Sequence, residues 1–197
     1  LYMQSRMFDG DNAKSMEEEL SAIPKQYGAI LQPYYGPAVG TLISARIQTI
    51  YGFYIEYLDL VISRRRSRAE EVKQAWLLAA DDAGQTISEQ NPYWDAHMWS
   101  TMLRHMVTLL VGSIDMLILG TYRKVGLNYL MLERLAADLG SYMGLGIIRQ
   151  FQIFRDLRDV RCFINLVFDQ LRAGFHADRG HIVGKASALT DAFGHHP

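Results

Sequence analysis

The sequence predicts an all-α protein, an antiparallel up-down bundle of the four-helix type with additional C-terminal helices. Apolar residues recur every three or four positions along most of the 197 residues, which is the period of one helix face. Sustained alternation of apolar and polar residues is missing, and no Asn-Gly or Asp-Gly turn lies between β-branched runs, so strand signals are poor. Long helices joined by short connectors are typical of an antiparallel bundle.

The first helix is expected to start at Ser15, which forms a Ser-x-x-Glu capping box with Glu18. Apolar residues at helical spacing continue from there to Tyr34. Pro24 falls inside this pattern and should kink the helix or mark a later start. The segment 33–36, which contains a proline and a glycine, should end it.

The second helix is expected to start near Pro37, because proline suits the first helical turn. It carries a continuous apolar stripe and ends in the charge run 64–66, which is three arginines. A charge run of this kind can bind phosphate. We interpret it as a solvated helix end, because cations interact favourably with a helix C-terminus and the chain has little net charge.

The third helix should begin at a second capping box, formed by Ser67 and Glu70, and break at Asn91-Pro92. A fourth helix is expected over 95–119 and a fifth over 124–150.

Two further helices are predicted after the fifth. The sixth, over 154–171, has its apolar residues on one side, and a short seventh lies within 178–193, where two glycines weaken the pattern. The predicted organisation is therefore a flexible segment at 1–14, a helical bundle at 15–173, and a short helix with a tail at 174–197.

Composition argues against nucleic-acid-binding, membrane and secreted proteins. A net charge of −1 argues against nucleic-acid binding, which needs a basic face. The most apolar run, 106–119, contains Asp115 and is shorter than the ~20 residues of a membrane span, so a membrane partner is not expected. No secretory signal is recognised at the start, and the single cysteine, Cys162, fits a reducing compartment. An intracellular or virion-associated protein is expected rather than a secreted one.

Five short blocks carry a resemblance to a known family. They are Pro33-Tyr34-Tyr35-Gly36, Trp76 with Ala80-Asp81, Asn91-Pro92 with Trp94, Met102-Leu103-Arg104-His105, and Gly146-Ile147-Ile148-Arg149-Gln150-Phe151. Their order and spacing resemble a family of four-helix-bundle proteins from bacteria and large DNA viruses that has no established activity. The resemblance implies a bundle fold and gives no reaction.

The chain departs from this family at its ends. The family's opening helix has no counterpart before Ser15, and a similar segment, 154–159, follows the bundle instead. The resemblance therefore implies a permuted chain or a piece of a tandem array. The helix at 154–171 would then complete the bundle in its own chain or be exchanged between subunits.

The family typically has one histidine on each of four helices, which would suggest a metal or haem site in a bundle core. The resemblance places those positions at Ile50, His105, Leu135 and Arg161. Only His105 could bind a metal, and a lone histidine on an apolar helix is usually a core or boundary residue. We therefore predict no metal or cofactor, with His105 as the weak candidate ligand.

The remaining residues with ionisable or reactive side chains are predicted to have structural roles. Asp115 should face solvent or pair with Arg123 or Arg149, because an unpaired buried carboxylate is costly; the alternative is a proton-handling group or a ligand. Cys162 lacks a neighbouring base and is interpreted as a small buried apolar residue. The other candidates are the solvated Glu133 and Asp138, the tail histidines His176, His181, His195 and His196, and the close-packing glycines Gly140, Gly144 and Gly146.

Association with protein partners or with itself is the predicted role. Tyr51, Phe53, Tyr54 and Tyr57 exceed what one helix stripe can bury, which suggests a second surface covered by a partner. The sequence thus predicts a non-enzymatic structural or interaction protein within an oligomer or larger assembly, for example a minor component of a virus capsid. The alternative is a metal- or haem-binding bundle with a redox or sensing role.

Overall fold

The computed structural model describes residues 13–151 of the chain, and their side chains from Glu17 onward. Four helices occupy this range: α1 (Ala13–Ile62), α2 (Arg66–Ser88), α3 (Ala96–Ile118) and α4 (Tyr122–Phe151). The described residues contain no strand, so the all-α prediction is confirmed. The predicted helices at 154–171 and 178–193 lie outside the described residues, as does the segment 1–14 except for its last two residues, which are helical.

Helix α1 is two helical segments, 13–35 and 37–62, that meet at Gly36. Gly36 has φ 80° and ψ 167°, a backbone conformation that glycine adopts far more readily than other residues. The two segments fold back on each other, and their backbones are in contact at Gly28 and Gly40. A Cβ added to either glycine would meet the carbonyl oxygen of the other. The predicted end of the first helix at 33–36 is confirmed, whereas Pro24 remains inside the helix and is buried.

The bundle is built from neighbours in sequence: α1 packs on α2, α2 on α3, and α3 on α4. Tight turns reverse the chain. Arg64 has φ 59° and Gly120 has φ 69°, and at each turn amide groups donate back to the carbonyl groups of the last helical turn, as in the Schellman motif. The three arginines at 64–66 are exposed, which agrees with a solvated helix end.

The capping-box predictions are wrong. Helix α2 already begins at Arg66, its N-cap position is Arg65, and no side chain caps it. The Glu70 carboxylate instead accepts hydrogen bonds from Lys73 and Gln74. Ser67 lies inside the helix because the chain enters α2 directly from the turn. Ser15 likewise lies inside α1, which is helical from Ala13.

Helix α3 starts as predicted, with a side-chain cap at Asp95. Its Oδ1 accepts a hydrogen bond from the amide of Met98 at 2.7 Å, which satisfies one of the free donors at a helix start.

The aromatic residues of α1 are covered by the chain itself, so the prediction of rings exposed on several faces is wrong. Tyr54 and Tyr57 are buried and pack on Trp76, with ring centroids 6.0 and 6.2 Å away. Tyr51 and Phe53 are half-buried. The physical reason is that α2 supplies Trp76 as the neighbour of Tyr54 and Tyr57, and that Tyr27 of the first α1 segment lies near Tyr51.

Among the described residues, α3 is the one helix long and apolar enough to cross a membrane. It packs between α2 and α4. Its exposed positions include Thr101, Arg104, His105 and Thr108, so the side facing away from the bundle is polar. This arrangement is typical of a core helix in a bundle.

Candidate functional site

Three of the five sequence blocks meet at one end of the bundle, where α1 turns, α2 gives way to α3, and the described part of α4 ends. We call this group of side chains the aromatic clasp. Its members are Tyr34, Tyr35, Asn91, Trp94, Gln150 and Phe151. The blocks lie up to 115 residues apart in sequence, and the up-down topology brings them together.

The Tyr35 hydroxyl joins α1 to two other elements. It accepts a hydrogen bond from Asn91 Nδ2 at 2.8 Å and donates one to Gln150 Oε1 at 2.9 Å. Asn91 is only 1% exposed, and its Oδ1 accepts from the amide of Tyr93 at 2.8 Å. Both ends of the buried amide are therefore satisfied, as a buried polar group requires.

The Trp94 indole fills the space above Gly146. Its Nε1 donates to the carbonyl oxygen of Met143 at 3.3 Å, and a Cβ on Gly146 would overlap the indole ring. The ring is fixed from two sides, because it lies 5.6 Å from the Tyr35 ring and 5.8 Å from the Trp99 ring. The predicted role of Gly146 in close packing is confirmed, and Gly140 and Gly144 are buried on the same helix.

A second set of contacts extends the clasp along α4. The Tyr142 hydroxyl accepts a hydrogen bond from the amide of Asp95 at 2.7 Å, and its ring lies 5.6 Å from that of Trp99. Sequence reasoning missed Tyr142. It lies one helical turn before the Gly146 block, and the aromatic spacing alone did not mark it.

The clasp joins helix ends and does not assemble reactive groups. The Tyr35 hydroxyl bonds to the side-chain amides of Asn91 and Gln150, and the Trp94 indole donates to a backbone carbonyl. Burial raises the pKa of Tyr35, and the hydrogen bond from Asn91 opposes the rise, so this hydroxyl is protonated at neutral pH. The carboxylate of Asp95, the residue after Trp94, caps helix α3. Within residues 13–151, no group of three His, Cys, Asp or Glu side chains could hold a metal ion.

Three of the four positions that the resemblance marks for histidine lie among the described residues, and they are in separate surroundings. Ile50 belongs to the main apolar core, and Leu135 packs with Leu109 and Leu132 in a smaller one. His105 is exposed on α3, so the expectation of a core or boundary residue is wrong for this position. Arg161 lies outside the described residues.

Asp115 is exposed, as predicted, but its expected arginine partners are wrong. Its carboxylate accepts a hydrogen bond from the Tyr57 hydroxyl, and the nearby cations are Lys73 and Arg66 of α2. Among the described residues neither Arg123 nor Arg149 forms a salt bridge with Asp115, because its carboxylate interacts with groups of α1 and α2. Partial burial raises the pKa of Asp115, and Lys73 opposes the rise.

Asp138 is exposed and Glu133 half-buried on α4. Cys162 and the histidines His176, His181, His195 and His196 lie outside the described residues.

Comparison of the chain with protein-family models, curated proteins and solved structures gives no match. The family resemblance therefore stays a prediction.

Proposed function

We propose that this protein is a non-enzymatic structural bundle that acts by associating with copies of itself within an oligomer or a larger assembly. The observation that carries the proposal is the set of large apolar side chains left exposed just after α3 and along α4. Leu119 is 75% exposed, Leu127 59% and Leu130 55%. Clustered exposed apolar side chains mark interaction surfaces.

The aromatic clasp supports the same proposal. Three of the five sequence blocks that carry the family resemblance form these contacts, and the Tyr35 hydroxyl bonds to residues of the other two. Such residues rigidify a scaffold. A minor component of a virus capsid is one concrete version, and detection of the chain in purified virus particles would test it.

Size-exclusion chromatography with light scattering on the full chain tests association. We expect a mass of at least twice 22.4 kDa, and a monomer at all concentrations would contradict the proposal. Elemental analysis and an absorption spectrum test the competing class, because a stoichiometric metal or a Soret band would favour a metal- or haem-binding bundle.

A further inference from the structure

We infer that the exposed face of α4 is a two-fold interface on which a second copy of this chain packs its own α4 in the antiparallel direction. This inference rests on the proposed function and names the surface and the geometry of association. It follows from a row of residues that we call the α4 stripe. The stripe consists of Leu127, Met131, Arg134, Asp138, Ser141 and Leu145.

The α4 stripe lies on one side of the helix, away from the bundle core. Its members are spaced four, three, four, three and four residues apart, which is the repeat of a coiled-coil seam. At about 100° per residue they fall within about 80° of the helix circumference. Leu127, Met131 and Leu145 are 59%, 48% and 44% exposed, and Ser141 is half-buried.

The two charged residues at the centre of the stripe are available for a partner. Arg134 and Asp138 are both exposed. In the part of the chain that the structure describes, neither forms a salt bridge with the other or with a third residue.

The stripe is self-complementary when its copy runs in the opposite direction. A two-fold axis at the height of Ala136 places Leu127 opposite the partner's Leu145. The same axis places Arg134 opposite the partner's Asp138. Both pairs occur twice, because in a two-fold interface each contact is repeated with the roles exchanged. A parallel pairing would instead place Arg134 against the partner's Arg134, so charge complementarity selects the antiparallel copy as the occupant.

Charge reversal tests the interface. We expect Arg134→Asp alone or Asp138→Arg alone to raise the dimer Kd by about tenfold or more, because either change converts two attractive pairs into two repulsive ones. The double variant R134D/D138R restores both attractive pairs and should dimerise like the wild-type chain. Thermal unfolding followed by circular dichroism checks that the single variants remain folded, and loss of association through unfolding would not be rescued by the double variant.

Cysteine cross-linking tests the direction. In a Cys162→Ser background, the double variant L127C/L145C should form a covalent dimer on oxidation. The two positions of one helix are about 27 Å apart, too far for a disulfide within the chain. Leu127→Cys alone should remain uncross-linked, whereas a parallel pair would link it.

The outcomes separate this inference from the proposed function. A dimer that is indifferent to single charge reversal would overturn the α4 interface and leave self-association intact. A full-length chain that stays monomeric would overturn both the α4 interface and the proposed self-association. Coverage of the stripe by residues 152–197 of the same chain would give that result.

Discussion

Gly146→Ala is the sharpest test of the aromatic clasp. A methyl group at this position would overlap the Trp94 indole, which is 4% exposed and fixed between two other rings. Overpacking of a core costs about 1–3 kcal/mol. We expect a cost at the upper end of this range, because the indole ring is rigid and held by its neighbours. Replacing glycine by alanine inside a helix returns about 1 kcal/mol. The expected net loss in the free energy of unfolding is therefore about 2 kcal/mol.

Gly126→Ala on the same helix is the matched control. A Cβ there meets nothing within 4 Å, so the variant should gain about 1 kcal/mol from helix propensity alone. The two variants should thus differ by about 3 kcal/mol, which is roughly 6–12 °C in Tm for a protein of this size. Urea and thermal unfolding followed by circular dichroism measure the difference.

Trp94 provides the second arm of this test. On a Trp94→Phe background the added methyl group has less to overlap, so Gly146→Ala should cost at least about 1 kcal/mol less than in the wild-type chain. If Gly146→Ala were as stable as Gly126→Ala, or if its cost were the same on both backgrounds, the packing of the indole on Gly146 would be refuted.

Three further changes probe other parts of the bundle. Tyr35→Phe leaves the buried Asn91 amide without its acceptor and should cost about 1–3 kcal/mol; an unchanged urea midpoint would contradict the hydrogen-bond network. Burial and a neighbouring carboxylate raise the pKa of Tyr57 from 10.0 to about 12, so the folded chain keeps a proton that the unfolded chain loses. The stability that this shift confers is present below pH 10 and is lost as the pH rises toward 12. A Tyr57→Phe variant with an equally steep fall would show that another group is responsible. Gly36→Ala forces a residue with a side chain into φ 80° and should cost about 1 kcal/mol or more. Gly52→Ala, with open space around it, should stabilise the chain slightly. A melting temperature of Gly36→Ala at or above that of Gly52→Ala would contradict the positive φ at Gly36.

The sequence by itself determined the helices and most of their ends. Apolar periodicity gives the position of a helix because the residues of one face must be buried together. Local punctuation then marks the ends, as at Gly36 and Asp95, where a conformational or capping preference acts within a few residues. The same local logic failed at Ser67, because the turn before α2 is closed by backbone hydrogen bonds and leaves no capping position for that side chain.

Only the tertiary structure decided which residues meet. The contacts of Tyr35 with Asn91 and Gln150 join helix ends far apart in the chain, and sequence periodicity carries no information on which ends are neighbours. Trp76 of α2 covers Tyr54 and Tyr57, which apolar periodicity could not show, because burial depends on what packs against a helix face. The α4 stripe likewise needed the tertiary structure. Its spacing can be read from the sequence, but its exposure depends on α3 packing against the other side of α4.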